Sequence, residues 1–547
     1  MKIALAQLNY HIANFEDNSK KIISAIRKAK EEGAELVVFS ELSVTGYYPH
    51  DLLERKEFIE KAEMTVKKIA RYCTGIAALV GAPSINTGSR GKKLYNSAYF
   101  LNNGKVEAIR NKSLLPTYDV FDEYRHFEPN KNFRLVEYKG MKLAVTICED
   151  LWDEQPTNNE FGRDKLYQTT PMEELCKLSP DLVINLSASP FSYNQENWRK
   201  NILVNNARKY QVPIIYVNQI GAQTELVFDG GSCFVKSDGT IPSELAYFQE
   251  DFFILDTDFP EEKKQPQTDY IGKIYQALIL GIRDYFYKMH FADVVLGLSG
   301  GIDSALVCAL AVEALGASHV RGVLMPSKFS TDHSVADAIQ LSENLNIRYD
   351  IISIQNMVDE FENQLSPIFG DLPPGIAEEN IQARTRGVLV MAISNKFGSI
   401  LLNTTNKSEC AVGYGTLYGD MNGGLAVLAD VYKTDVYKLA KYINRGKEII
   451  PENSILKPPS AELRPDQKDT DSLPDYDILD AILFKYIELN LSPEEITAQG
   501  YEKETVLKVT QLVNKNEHKR FQSPPILRVS SKAFGFGRKM PLVARYS

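Results

Sequence analysis

A glycine-rich stretch near the middle of the chain, VVLGLSGGIDSALV from Val294 to Val307, constrains the fold more than any other segment. A short apolar run, typical of a buried strand, leads into Gly297, Gly300 and Gly301, and an apolar helical pattern resumes at Ile302. A strand, a glycine-rich loop and a helix in this order direct backbone N–H groups and a helix N-terminus towards an anion. Because glycines also let a phosphate approach the backbone closely, the stretch predicts a phosphate-binding loop.

The polar residues of this loop separate it from the common nucleotide-binding motifs. It has neither the Lys-Ser/Thr pair of a Walker A loop nor the GxGxxG spacing of a dinucleotide-binding turn. Ser299 and Ser304 add hydroxyl donors, whereas Asp303 places a carboxylate where phosphates would bind. That carboxylate would repel the phosphates unless a cation lay between them, so the loop predicts bound Mg²⁺. An ordinary strand-to-helix turn with an extra glycine is the alternative interpretation.

The hexapeptide SGGIDS, with a strand before it and a helix after it, resembles the PP-loop of the N-type ATP pyrophosphatases. Enzymes of that family cleave ATP to AMP and pyrophosphate while they activate a carbonyl oxygen as an adenylate. The resemblance implies ATP as a co-substrate together with Mg²⁺. It assigns ATP binding to Gly297, Leu298, Ser299, Gly300, Gly301, Ile302, Asp303 and Ser304.

Size and composition set the broad class. A chain of 547 residues is too long for one ordinary core, so we expect two large domains. Its hydrophobic content of 44% and charged content of 24% are those of a soluble globular protein. No apolar run approaches the length needed to cross a bilayer, so we expect no membrane partner. The six cysteines lack CxxC spacing, which favours a reducing cytoplasm over a disulfide framework or a zinc site. A net charge of −9 disfavours nucleic acid as a partner.

The first half of the chain alternates between strand and helix signals. Ile3 to Leu8 predicts a strand, Phe15 to Glu32 an amphipathic helix, and Asn103-Gly104 a tight hairpin turn. Leu226 to Val235, followed by Asp238-Gly239, predicts a late hairpin. This mixture of buried strands and helices predicts a layered α/β sandwich.

Three polar residues of this half, Glu41, Lys112 and Cys148, follow predicted strands. A thiol nucleophile needs a base that deprotonates it and a positive group that stabilises the oxyanion of a tetrahedral intermediate. Glu41 can act as the base and Lys112 can supply the charge. Taken singly, each residue has an ordinary explanation: an inert core cysteine, a helix-capping glutamate and a solvent-facing lysine.

The surrounding sequences SELSVTGY, NKSLLPTY and TICEDLW resemble, in this order, those of the nitrilase-type carbon–nitrogen hydrolases. The resemblance implies an α-β-β-α sandwich with a catalytic triad of Glu41, Lys112 and Cys148. A papain-like Cys-His pair is the competing arrangement, but none of the seven histidines adjoins a comparable motif.

Similarity to the glutamine-using members of that family implies a glutamine site. It assigns Tyr118 and Ser189 as contacts of the glutamine. Gln195 stands where those relatives commonly carry a basic residue, so the carboxylate of the amino acid is expected to be held differently. Glu123 either holds the α-amino group or is an ordinary surface charge.

Residues 259–270 are charged, contain two prolines and lack an apolar period, so we interpret them as a linker. This interpretation gives one domain over residues 1–258 and a second over residues 271–547. Strands alternating with helices in the second domain predict a doubly wound, Rossmann-like parallel sheet. Its ligand should lie beyond the carboxyl ends of the strands, where the glycine-rich loop is placed.

Further segments of the second half, NIQAR, NKSE, DVYKT and the irregular PSAELRPDQKDTDSLPDYD, are similar in order and sequence to the NAD synthetases. The similarity implies that the irregular segment is a mobile region near the adenylation site. It assigns ATP contact to Thr404, Mg²⁺ binding to Asp303 and Glu409, deamido-NAD binding to Asn380, Glu409 and Lys532, and a candidate phosphate contact to Lys433.

The two halves together are similar to the glutamine-dependent NAD⁺ synthetases. That similarity implies ammonia release from glutamine at Cys148 and ATP-dependent amidation of deamido-NAD⁺, giving NAD⁺, AMP, pyrophosphate and glutamate. It also implies a homo-oligomer. The alternatives are an amidotransferase acting on another carbonyl, as GMP synthetase or asparagine synthetase does, and a nucleotide-sensing protein with decayed sites. The helical tail with basic residues up to Arg520 could also be mistaken for a DNA-binding helix-turn-helix.

Overall fold

The computed structural model describes residues 1–152 and 166–546. The chain divides into two compact units, Met1–Gln267 and the residues from Thr268 on. The boundary between the units lies inside the predicted linker, which contains neither a helix nor a strand before Tyr270.

The first unit contains fourteen strands and four α-helices among its described residues. The strands are β1 (Lys2–Gln7), β2 (Leu36–Val38), β3 (Ala77–Ile85), β4 (Leu94–Asn102), β5 (Lys105–Asn111), β6 (Val136–Tyr138), β7 (Met141–Ile147), β8 (Leu182–Ser187), β9 (Ile214–Asn218), β10 (Ile220–Gln223), β11 (Leu226–Asp229), β12 (Cys233–Val235), β13 (Ser243–Glu244) and β14 (Asp251–Asp256). The helices are α1 (Phe15–Glu31), α2 (Lys56–Ala70), α3 (Pro171–Cys176) and α4 (Gln195–Tyr210).

Twelve of these strands form two six-stranded sheets, in the orders β14-β1-β2-β3-β4-β5 and β13-β12-β9-β8-β7-β6, and β10 and β11 form a two-stranded sheet. The two-residue period of a strand sends alternate side chains to opposite faces. Ile3 and Leu5 of β1 pack against Leu143 of β7 between the sheets, whereas Ala4 faces α1 and α2. Ala144 correspondingly faces α3 and α4 on the far side of the second sheet. The predicted α-β-β-α sandwich is thereby confirmed.

The late hairpin differs in detail from its prediction. The predicted strand Leu226 to Val235 is interrupted at Gly230 and Gly231, whose φ values of 75° and 66° suit glycine and turn the chain. As a result β11 pairs with the preceding strand β10, and only β12 pairs with β13 across the turn at Asp238-Gly239.

The second unit contains twelve α-helices and five strands among its described residues. The helices are α5 (Tyr270–Met289), α6 (Ile302–Leu315), α7 (Asp332–Asn344), α8 (Gln355–Phe369), α9 (Ile376–Phe397), α10 (Lys407–Val412), α11 (Lys433–Ile443), α12 (Glu452–Leu456), α13 (Tyr476–Ile487), α14 (Pro493–Ala498), α15 (Lys503–Lys515) and α16 (Glu517–Arg520). The strands are β15 (Val294–Gly297), β16 (Val320–Leu324), β17 (Arg348–Ile351), β18 (Ile400–Asn403) and β19 (Leu425–Ala426).

The five strands form one parallel sheet in the order β17-β16-β15-β18-β19, which confirms the predicted doubly wound topology. The chain proceeds from β15 to one edge of the sheet and then returns to the other side at β18. The glycine-rich loop therefore follows β15 at the topological switch point, where ligands of such sheets bind.

The helical tail packs as part of this unit. Helices α13, α14 and α15 share an apolar cluster with Cys410 and Val412 of α10, to which they contribute Leu479, Ile496 and Val506. Such mutual burial favours the scaffolding interpretation over a helix-turn-helix. Of the helices within the described ranges, none is both long and apolar enough to cross a membrane.

Candidate active sites

Cys148 follows β7 directly and opens a 3₁₀ turn, Cys148–Leu151. Its φ of 42° lies in the left-handed region that residues with a Cβ rarely adopt, a form of strain that is common at functional sites. The carboxylate of Asp150 holds the turn, because it accepts the N–H groups of the two residues after Lys112, each at 2.9 Å. Asp150 therefore links the turn that begins at the nucleophile candidate to the segment that carries Lys112.

Lys112 lies between two carboxylates, and all three side chains are buried. Its Nζ donates to Glu41 Oε1 and to Glu123 Oε1, at 2.7 Å each. Asn96 Nδ2 donates to Glu41 Oε1 at 2.7 Å and to Glu123 Oε2 at 3.3 Å, and the Tyr47 hydroxyl donates to Glu123 Oε1 at 2.7 Å. The interpretation of Glu123 as a surface charge is wrong, because its carboxylate is a buried partner of the lysine.

Burial and the charges of this network together determine the protonation of the thiol. Burial raises the pKa of Cys148 well above its usual range, and the negative charge of Glu41 acts in the same direction. Burial also raises the pKa of Glu41 to about 7, although Lys112 opposes the shift. The resting cysteine is therefore a neutral thiol beside a carboxylate that can accept its proton near neutral pH.

Glu149, which sequence reasoning missed, lies next to the nucleophile candidate. It is buried and accepts hydrogen bonds from Tyr118 at 2.8 Å and from Tyr167 at 2.9 Å. Burial raises the pKa of its carboxyl group to about 7. In the sequence, Glu149 and Asp150 both have the pattern of an acidic first helical turn. No local signal therefore distinguishes Glu149, beside the nucleophile candidate, from Asp150, which holds the turn.

Two further predicted glutamine contacts lie on one segment. Ser189 is buried and follows Ala188, whose N–H donates to Glu41 Oε2 at 3.1 Å, so it lies near the network. Gln195 is half-buried and begins α4. One turn later, Arg199 makes a buried bidentate ion pair with Asp229, at 2.9 and 2.8 Å. The charge of Arg199 is therefore already neutralised by Asp229.

The glycine-rich loop of the second unit has the predicted geometry. Gly300 has a φ of 77°, and a Cβ at that position would lie 2.1 Å from the backbone oxygen of Ser334. Ser299 Oγ accepts the N–H of Gly301 at 3.1 Å and lies 3.1 Å from Ser304 Oγ. Only glycine fits at position 300, and the neighbouring hydroxyls and N–H groups lie at the start of α6 as an anion site requires.

Charged groups converge beside this loop. Lys433 Nζ donates to Asp303 Oδ2 and, at 3.3 Å, to Glu409 Oε1, and Asn406 Nδ2 donates to Asp303 Oδ1 at 2.9 Å. Burial and the charge of Asp303 raise the pKa of Glu409 to about 8, against the effect of Lys433. The two carboxylates predicted to hold Mg²⁺ are thus brought together around a positive charge.

The remaining predicted residues lie around the same edge of the sheet. Thr404 follows the carboxyl end of β18, the neighbour of β15. Asn380 lies on α9 and accepts from the Thr416 hydroxyl at 2.7 Å. The backbone oxygen of Lys532 accepts from Lys407 at 3.0 Å, which places Lys532 at the start of α10, the helix that carries Glu409.

Lys407, in the NKSE motif, is a buried structural cation. Its Nζ lies 3.0 Å from Asp430 Oδ1 and 3.0 Å from Glu488 Oε1, and it donates to Ser530 Oγ at 2.7 Å. The motif therefore combines Glu409, a residue of the candidate site, with Lys407, which holds the C-terminal segment against α10.

The irregular segment also reaches the loop region. Glu462 Oε1 accepts from the hydroxyls of Thr331 at 2.9 Å and Ser334 at 2.6 Å, and Ser334 is the residue that packs against Gly300. The segment therefore lies at the loop, and its mobility stays a prediction.

Models of two known families match the chain. The carbon-nitrogen hydrolase model matches residues 2–264, and the NAD synthase model matches residues 274–523. The matched ranges correspond to the two units, and they contain respectively the buried lysine network and the glycine-rich loop.

Similar proteins span the whole chain. The glutamine-dependent NAD(+) synthetase of Synechocystis sp. is 46% identical, with 100% of this chain and 99% of that protein aligned. The protein of that name from Thermotoga maritima is 40% identical, with 100% and 99% aligned. The structure of the Acinetobacter baumannii glutamine-dependent NAD+ synthetase in complex with ADP is 40% identical, with a TM-score of 0.78 over 99% of this chain and 98% of that one. The Cytophaga hutchinsonii enzyme, at 22% identity, a TM-score of 0.84 and 100% and 98% coverage, supports the fold alone.

Proposed function

The chain belongs to the family of glutamine-dependent NAD⁺ synthetases, and from that premise we propose how its residues divide the reaction between two sites. It is a ligase that amidates deamido-NAD⁺ at the expense of ATP, with glutamine as the nitrogen donor. The observation that carries the division is the buried Glu41–Lys112–Glu123 network beside Cys148, in a different unit from the phosphate-binding loop.

At the first site, Cys148 Sγ attacks the side-chain amide carbon of glutamine while Glu41 accepts the thiol proton. Lys112 stabilises the oxyanion of the tetrahedral intermediate, and Glu41 returns the proton to the departing ammonia. Water then attacks the thioester, again with Glu41 as the base, and releases glutamate and the free thiol. The role of Glu41 is supported by its pKa of about 7, which lets it both accept and donate a proton near neutral pH.

Glutamine is bound by Tyr118, Ser189 and Gln195 in this proposal. Tyr118 shares the carboxylate of Glu149 with Tyr167, and Glu149 adjoins the nucleophile. Gln195 lies beyond Ser189 on the segment that enters α4 and, as a neutral residue, would hold the substrate carboxylate by hydrogen bonds.

At the second site, ATP is bound along residues 297–304, with Thr404 as a further contact. The nicotinate carboxylate of deamido-NAD⁺ attacks the α-phosphate, and pyrophosphate departs towards the N–H groups and hydroxyls of the loop. Ammonia attacks the resulting adenylate, which displaces AMP and forms the amide. Asn380, Glu409 and Lys532 would contact deamido-NAD⁺, and Lys433 would contact a phosphate.

Asp303 and Glu409 would hold Mg²⁺. Their carboxylate oxygens suit a hard cation, and both already converge on the positively charged Lys433, so the site is arranged for positive charge. When bound, the ion supplies charge that screens the phosphates from Asp303.

The test replaces Cys148 by Ser in the full-length chain and measures NAD⁺ formation from glutamine and, separately, from ammonium. We expect the variant to lose the glutamine-dependent reaction and keep the ammonium-dependent one. Cys176→Ser, at a half-buried cysteine of the same unit, is the matched control and should keep both. Loss of both reactions in a folded Cys148→Ser protein would contradict the division between two sites.

We also propose that the protein works in the cytoplasm, because the synthesis needs ATP and the six cysteines fit a reducing compartment. The similarity to the family further suggests a homo-oligomer. Light scattering on the purified chain tests the assembly, and a mass of one chain would refute it. Formation of AMP with xanthosine phosphate or aspartate in place of deamido-NAD⁺ would favour the alternative amidotransferases.

A further inference from the structure

Three potential metal ligands meet on the first unit, away from the buried lysine network. His126 Nε2 lies 3.4 Å from Asp51 Oδ1 and 3.7 Å from Glu54 Oε1, and the ligand atoms of the three residues all lie within 4.8 Å of one another. The two acids are exposed, whereas His126 is only 8% exposed. Acidic groups alone are common on surfaces, so the buried imidazole is the feature that needs an explanation.

The hydrogen bonds of His126 indicate which ring nitrogen carries a lone pair. The Tyr48 hydroxyl lies 2.8 Å from His126 Nδ1 and donates to the backbone oxygen of Asp122 at 3.3 Å. Because a hydroxyl has one proton and a carbonyl can only accept, the assignment that satisfies both contacts has Nδ1–H donating to Tyr48. In the neutral ring Nε2 is then the acceptor, and its lone pair faces the two carboxylates. It is buried and has no hydrogen-bond partner in the ranges that the structure describes.

We propose that His126 Nε2, Asp51 and Glu54 form a binding site for a divalent transition-metal ion of the zinc class. With Nε2 as an acceptor, three acceptors converge, and a cation offsets their mutual repulsion. An imidazole with two carboxylates is a ligand set that suits Zn²⁺ or Co²⁺, and water completes the coordination. The nitrogen ligand disfavours Mg²⁺ and Ca²⁺, which prefer oxygen alone. The Nδ1–H bond to Tyr48 orients the ring as outer partners of metal-bound histidines do.

Arg125 competes for this site. Its guanidinium lies 3.0 Å from Asp51 Oδ1 and 3.7 Å from Glu54 Oε1, the oxygens that face the imidazole. The arginine side chain is 52% exposed, and exposed ion pairs are weak, so the ion can displace the guanidinium into water. The arginine thus marks the site as one that already attracts positive charge.

The site is connected to the amidase network through the backbone. The N–H of His126 donates to the backbone oxygen of Glu123 at 3.1 Å, and the carboxylate of Glu123 holds Lys112. A bound ion would therefore fasten the turn at His50–Glu54 to the turn that presents Glu123. We expect occupancy to raise the melting temperature of the first unit, because a ligand that binds only the folded state stabilises it.

The experiment titrates the full-length chain with Co²⁺ and follows its visible absorption. The Cys148→Ser background removes the nucleophilic thiol as a competing ligand of Co²⁺. We expect the parent to bind one equivalent of Co²⁺ per chain more than His126→Gln does. Any Co²⁺ bound elsewhere should be the same in both proteins. Glu54→Gln should weaken binding at least tenfold, and Arg125→Gln should strengthen it several-fold.

The matched control is His319→Gln, at an exposed histidine whose Nδ1 lies 2.9 Å from Asp293 Oδ1. Within residues 1–152 and 166–546, no second carboxylate joins that pair in a potential metal site, so the control should bind Co²⁺ as the parent does. Glu54 is exposed, so its variant keeps the test valid even if His126→Gln folds poorly. An unchanged spectrum and stoichiometry in Glu54→Gln and His126→Gln would overturn the proposal. These outcomes are independent of which reaction the two sites catalyse.

Discussion

Replacement of Glu41 by Gln separates the role of this residue as a base from its role in packing. Glu41 Oε1 accepts from Lys112 and Asn96 at 2.7 Å each, and Oε2 accepts the N–H of Ala188 at 3.1 Å. A glutamine of the same shape replaces one acceptor oxygen with an NH₂ group, so at least one of these donors faces another donor. A buried donor without an acceptor costs roughly 1–3 kcal/mol. We expect the unfolding free energy of the first unit to fall by that amount, which leaves the variant folded.

The effect on catalysis should be larger. General-base catalysis contributes about 10²–10⁴-fold, which corresponds to roughly 3–5 kcal/mol of barrier. Glutamine hydrolysis should fall by that factor in Glu41→Gln, while ammonium-dependent NAD⁺ formation should be retained. Because a base works only when it is deprotonated, the wild-type kcat/KM for glutamine should rise with pH through about 7. The variant should lack this rise.

The assay measures glutamate formation across about two pH units on either side of neutrality. Glu35→Gln is the control. Glu35 precedes β2, at the end opposite to Glu41, and its carboxylate accepts hydrogen bonds from the backbone N–H of Lys2 and from Lys139. A Glu41→Gln enzyme with glutaminase activity within about tenfold of wild type, or with the rise near neutral pH intact, would refute Glu41 as the base.

Other substitutions test the second unit. Gly300→Ala should abolish ATP-dependent synthesis and leave glutamine hydrolysis intact, because its Cβ would meet backbone; Gly316→Ala, at an equally positive φ with open space around it, should keep both activities. Lys407→Met should lower the stability of this unit by about 3–5 kcal/mol, because it removes the buried cation that faces the carboxylates of Asp430 and Glu488. Lys438→Met, at an exposed ion pair, should cost at most about 1 kcal/mol in calorimetry. Lys433→Met should stop AMP formation in a protein that still hydrolyses glutamine, and normal AMP formation would exclude it as a phosphate contact.

The sequence predicted the parts of each site that have a local pattern. The loop at residues 297–304 is such a part, because a strand, glycines and a helix follow one another along the chain. Glu41 follows β2 of one sheet and Cys148 follows β7 of the other, so each was predicted from the strand that precedes it. A layered α/β sandwich and the doubly wound sheet followed from the alternation of apolar segments, and the α-β-β-α order of the layers from the resemblance to the carbon–nitrogen hydrolases.

The parts that were missed depend on tertiary contacts. Glu123 has the local sequence of a surface residue, and it is buried because a lysine and a tyrosine from distant segments satisfy its carboxylate. Lys407 adjoins the site in sequence, but acids from the segments near residues 430 and 488 draw it into the core. Glu149 has the appearance of a helix-capping acid until Tyr118 is placed against it.

The central claim is that nitrogen released at Cys148 is consumed at the carboxylate activated beside residues 297–304. The most direct measurement supplies glutamine labelled with ¹⁵N in its side-chain amide, together with ATP, Mg²⁺ and deamido-NAD⁺, and follows the products by mass spectrometry. We expect ¹⁵N in the carboxamide of NAD⁺, with AMP and pyrophosphate formed in equal amounts and no ADP. NAD⁺ without the label, or ADP in place of AMP, would contradict it.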